Sequence, residues 1–122
     1  MADDHWRWKN NRDMRDAAER LQELGEQADE NLEEAAEEIS LRIMADARRN
    51  VNVDTGRLRA SIDQEVERVT EHTVRAIVGS NVEYAPYLEV THPYLRPAIQ
   101  DNADWIRQRI EQALDDAADE VS

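Results

Sequence analysis

The chain has 122 residues, 28 acidic and 15 basic side chains, a net charge of −13 and no cysteine. That length fits one domain with a modest core, because such a chain buries only about two-thirds of its unfolded surface. Lack of cysteine excludes disulfides, thiolate metal sites and a thiol nucleophile, and no apolar run approaches the ~20 residues of a membrane span.

Residues 1–12 read as an arm. The stretch MADDHWRWKNN has no apolar run of the signal-peptide kind, which predicts a soluble, untargeted, intracellular product. Trp6 and Trp8 are spaced two apart and cannot share a helical face. Arg7, Lys9 and Arg12 surround them, and Trp and Arg are enriched at interface hot spots. Docking on a partner and packing on the chain's own domain are the two uses open to these indoles.

The remainder, 13–122, is expected to form a single domain. From Asp13 to Arg49 apolar residues recur in steps of three and four, through Ala17, Leu21, Leu24, Ala28, Leu32, Ala35, Ile39, Ile43 and Ala47. A helix of that span is ~55 Å long, longer than a small domain is wide. One end must project, or Gly25 must break it. Glu19, Glu23, Glu26, Glu30, Glu33, Glu34, Glu37 and Glu38 lie on the opposite face, most simply a solvated one.

Thr55–Gly56 marks a turn, followed by strand-like runs over Leu58–Val69 and Thr73–Gly79, with Glu71–His72 as the hairpin turn. Arg57 and Arg59 would point the same way along an extended strand. Tyr84 to Glu89 reads as a short turn or helical segment. A Pro-punctuated connector, Thr91 to Pro97, leads to a last helix over Pro97–Asp119 with Ile99, Ala103, Ile106, Ile110, Ala113 and Ala117 as its stripe. The predicted class is α+β: a long N-terminal helix, a small antiparallel hairpin, and a C-terminal helix packed on the sheet.

Chemistry is sparse. His5, His72 and His92 are scattered, and no metal-ligand spacing, phosphate-cradling glycine loop or nucleophile elbow occurs. Glu89 and His92 are the one pair with acid–base character. The chain therefore reads as a non-enzyme, with no cofactor or metal expected.

Fourteen of the fifteen basic residues are Arg, Lys9 is the only Lys, and Phe is absent. Self-repulsion at −13 is screened in molar salt, where the Debye length is ~3 Å. An acid-rich, lysine-poor composition thus points to a halophile's cytoplasm. A surface that repels or mimics nucleic acid would have the same charge, as would a partly disordered acidic chain, although the regular phasing of apolar residues argues against disorder. Sequence-specific DNA reading is disfavoured, because phosphate binding needs clustered positive charge.

Three landmarks remain in order: Asp54-Thr55-Gly56-Arg57-Leu58-Arg59-Ala60-Ser61-Ile62; Val78-Gly79-Ser80-Asn81 running into Tyr84-Ala85-Pro86-Tyr87-Leu88-Glu89; and Tyr94-Leu95-Arg96-Pro97-Ala98-Ile99 before a helix. Each is weak alone. Together, after a long helix, they make residues 14–120 resemble the neck, tail-completion or minor tail proteins of long-tailed phages. The family often has a Gly-Thr pair and a longer loop after its Tyr-Ala-x-Tyr-x-Glu motif, where this chain has Val90-Thr91-His92-Pro93.

The resemblance implies a structural virion protein, assembled in the host cytoplasm into a ring usually taken to be hexameric. That ring would join a head-closure or connector protein to a tail-terminator or tail-tube protein and let DNA pass. Arg57, Arg59 and Arg96 are candidate bridges to a neighbour's carboxylates, Trp6 and Trp8 candidate docking groups, and Tyr84, Tyr87 and Tyr94 contact or packing residues. With the composition, it would place the particle among tailed viruses or proviruses of haloarchaea. The alternative from another class is a small acidic antitoxin-like or regulatory module that binds one cellular partner through the helix and arm. A third, a small hydrolase using Glu89 and His92, would need a pocket around them.

Overall fold

A computed structural model describes residues 11–52 and 56–121. Helix α1 (Asn11–Asn50) begins two residues before the expected start and runs unbroken for 40 residues, about 60 Å at 1.5 Å per residue. Gly25 does not interrupt it, and a Cβ there would meet nothing within 4 Å. One weak helix former does not stop a helix whose flanking turns are rich in Ala, Leu, Glu and Gln.

After α1 come α2 (Gly56–Ser61), β1 (Asp63–Thr70), β2 (Thr73–Gly79), α3 (Ala85–Thr91), α4 (Leu95–Asp101) and α5 (Ala103–Val121). The strands pair antiparallel with Asp63 opposite Gly79 and Glu65 opposite Ile77, and the register slips between Arg68 and Thr70 beside the Glu71–His72 tip. A two-stranded sheet is marginal alone; this one is held lengthwise on α1. Ser40 Oγ donates to Gln64 Oε1 at 2.7 Å, Arg68 reaches the Asp29 carbonyl at 3.1 Å and Glu33 at 3.2 Å, and His72 Nδ1 lies 2.8 Å from Asp29 Oδ2.

On another flank of α1, α5 runs antiparallel. Arg42 bonds Asn102, Glu38 accepts from Arg109, and Asn31 Nδ2 donates to the Ala113 carbonyl. The expected α+β class is the one observed. α5 lies mainly against α1, and an apolar groove separates it from β2.

Two local expectations are corrected. The first third of the predicted strand, from Leu58, is helical in α2. Leu58 and Ile62 are four apart, a spacing that puts both on one side of either a strand or a helix. Both are buried, at 1% and 0% exposure. The single helix expected over Pro97–Asp119 is instead two, interrupted at Asn102. That side chain is buried and bonds Asp46, the Ala98 carbonyl and Arg42. Ala98 and Asn102 consequently face inward, whereas Ile99, assigned to the stripe, is 51% exposed.

Candidate interaction surfaces

The three sequence landmarks meet at one end of the molecule, and most of their apolar residues build the core. Leu58 and Ile62 from the first, Ala85 from the second, and Tyr94 and Ala98 from the third pack with Val82 and with Ile43, Ala47 and Val51. Tyr94 is 2% exposed and its hydroxyl donates to the Ala85 carbonyl at 3.2 Å. Burial, then the nearby Glu89 carboxylate, pushes its phenol up.

Glu89 ties the second landmark to the third. One carboxylate oxygen accepts the Tyr94 and Leu95 N–H groups at 3.0 and 2.9 Å, and the other accepts the Arg96 N–H at 2.9 Å. These donors open α4 and have no partner within the helix, so a carboxylate there satisfies them and the helix dipole together. Burial alone would raise the Glu89 carboxyl; the N–H bonds from Leu95, Tyr94 and Arg96 and the Arg96 charge outweigh it and hold the group below the ordinary glutamate range. The His92 ring nitrogen lies 3.2 Å from Thr91 Oγ1. The geometry gives Glu89 a capping task, which sequence reading missed because the carboxylate lies in α3 and the N–H groups it accepts open α4, beyond the intervening turn.

The arginines separate. Arg57 is exposed on α2, while Arg59 turns inward and donates from Nη2 to the Val51 carbonyl at 2.7 Å. Two residues share a strand face but fall on opposing sides of a helix, so forming α2 divides the pair. Arg96 is exposed at the start of α4. Tyr84 is half-buried against the core, and Tyr87 is 68% exposed beside Val90 at 78% on the outer face of α3. Trp6 and Trp8 lie outside the described residues, as do Asp54 and Thr55 of the first landmark.

A polar junction that sequence reading also missed joins α1, α4 and α5. The Arg42 guanidinium carbon sits 4.2 Å from the centre of the Trp105 ring, Asn102 bridges Arg42 and Asp46, and Asp46 also pairs with Arg49. Arg42 and Asp46 are one helical turn apart, which was the signal for it.

Several apolar surfaces among the described residues stay open. A pocket of about 640 Å³ lies between Val51, Leu58, Leu88, His92 and Tyr94. A patch of Leu21 and Leu24 on α1 adjoins Ala118 and Val121 at the end of α5. The groove of about 400 Å³ has Leu32, Ala35, Ala36 and Ile39 of α1 as its floor, Val74 and Ala76 of β2 as one wall, and Ile106 and Ile110 of α5 as the other. All eight glutamates of the acidic face are exposed. Glu33, Glu37 and Glu38 among them hold the hairpin or α5. Among the described residues no cluster of His, Asp and Glu is arranged to hold a metal ion, and no helix is long and apolar enough to cross a membrane.

A family model described as "Bacteriophage HK97-gp10, putative tail-component" matches residues 15–90, more than half of the chain. That span takes in α1 from Arg15, α2, the hairpin and nearly all of α3. No curated protein and no solved structure matches the chain.

Proposed function

Because this chain belongs to the HK97-gp10-like family of bacteriophage tail components, we propose that it closes into a homo-oligomeric ring at the head–tail junction. Such a ring connects the head-closure side to the tail tube and leaves a channel for DNA. The observation that carries the reading beyond the family is the projecting end of α1. The end of α5 lies beside Leu21 and Leu24, so α1 continues roughly two to three further turns past it, and Leu21 is 69% exposed. A self-complementary patch would give a closed dimer, whereas a projecting end that meets a different surface on the next copy generates a ring when the rotation closes.

The exposed glutamates support a lumen that keeps DNA centred by repulsion and does not grip its phosphates. The acid-rich, lysine-poor composition supports a halophilic host, and so a tailed archaeal virus. Mass by light scattering, with negative-stain images in dilute buffer and in molar salt, tests the ring. Closed rings of uniform mass are expected in molar salt. A monomer or dimer under both conditions would favour an antitoxin-like module over a ring component.

A further inference from the structure

The groove between β2 and α5 has the features of a site for one extended segment. β2 is bonded to β1 along one edge, and among the described residues no strand covers the other. Beside that edge the floor is apolar, and both walls are accessible, with Ala76 exposed and Ile110 39% exposed. At the hairpin tip the groove ends at His72, which lies 2.8 Å from Asp29 and 4.0 Å from Glu71, so that end is flanked by acid.

The chain contains one short segment of matching pattern. Trp6-Arg7-Trp8-Lys9 alternates indole and cation. In an extended strand this period of two puts both indoles on one face and both cations on the other. Laid along the free edge of β2, such a strand gains main-chain hydrogen bonds, buries Trp6 and Trp8 on the floor, and turns Arg7 and Lys9 away from it in an otherwise acidic molecule.

Reach decides whose segment this is. From Asn11 to Leu32, the nearest floor residue, α1 rises about 31 Å at 1.5 Å per residue. Five residues of fully extended chain carry Trp6 at most about 17 Å from Asn11. The arm therefore falls short of its own groove by more than an indole's length. We infer that residues 6–9 of one copy add as a third strand to β2 of a second copy, with Trp6 and Trp8 seated on Leu32, Ala35, Ala36 and Ile39. This deepens the ring reading by naming the link between adjacent subunits, and it rests on that reading's self-association.

The test uses the full chain carrying Trp6→Ala/Trp8→Ala as receptor, so that its own arm does not compete, and a fluorescent peptide of residues 1–12 as probe. Saturable binding is expected. Adding Ala76→Arg or Ile110→Asp to the receptor, with an unchanged unfolding transition, is expected to weaken it by roughly tenfold or more, as at other hot spots. A peptide with both tryptophans replaced should not bind. No saturable binding, or binding lost on Leu21→Glu but kept with Ala76→Arg, overturns the inference; the latter result puts the arm on the Leu21 patch, which it can reach in its own chain. Light scattering on the native chain separates the two proposals. Rings without peptide binding leave the ring standing and remove the arm as its link, peptide binding by a chain that stops at a dimer keeps the arm site and removes the ring, and a native chain that stays monomeric overturns both.

Discussion

The two halves of α1 have the same kind of apolar stripe and opposite surroundings. Toward its C-terminus, Ile43 and Ala47 are 3% and 0% exposed under α2, α3 and α4. Toward its N-terminus, Leu21 in the same periodic pattern is 69% exposed, and Leu24 is only half-covered by the end of α5. Spacing alone makes a stripe; whether it becomes core depends on how much later chain folds back over it. The covered part of the stripe lies at the landmark end, and its most exposed residue at the other.

The sharpest way to break that comparison is a pair of truncations. Ile62→Ala removes a fully buried side chain and should cost roughly 2–5 kcal/mol in urea unfolding, whereas Leu21→Ala should stay within about 0.5 kcal/mol. Equal losses would mean that the projecting half is covered after all.

Glu89→Gln comes next, at about 1–2 kcal/mol near neutral pH, because it removes the charge that three N–H groups and the α4 dipole hold. The folded carboxyl lies below its unfolded value, so its stabilisation is present above the ordinary carboxylate range and is lost as pH falls through the depressed folded value. The gap between wild type and variant should therefore close in acid. A gap independent of pH would show that the side chain matters by packing and not by charge.

Asn31→Ala probes the boundary between the halves. Asn31 is 8% exposed, accepts from Gln27 and donates to the Ala113 carbonyl, and losing it should cost about 1 kcal/mol by the same measurement. The smallest effect has the opposite sign. Gly25→Ala should raise stability by about 0.5–1 kcal/mol, since the glycine is mid-helix and the added methyl meets no atom. A loss there would mean that another copy of the chain approaches α1 closely at Gly25 in solution.

Sequence alone was enough for the long helix, the Glu71–His72 turn between two short strands, the acidic exposed face and the family, because periodicity, turn chemistry and ordered motifs are local properties. It also narrowed α1 to a helix that projects or one that breaks at Gly25, since its length exceeds what a chain of this size can cover. The structure has the unbroken form. Only tertiary structure settled the rest. Leu58 and Ile62 suit a strand or a helix equally, and packing against Ile43, Ala47 and Val51 in the core accompanies the helical choice. Asn102 interrupts a pattern that reads as continuous, because its amide is held by Arg42 and Asp46, more than fifty residues away in sequence. Glu89 became a cap because the chain turns back at His92 and Pro93, between α3 and α4, and brings the start of α4 to its carboxylate. Each of these choices depends on a partner distant in sequence or on a turn in the chain, and neither leaves a periodic trace in the residues it joins.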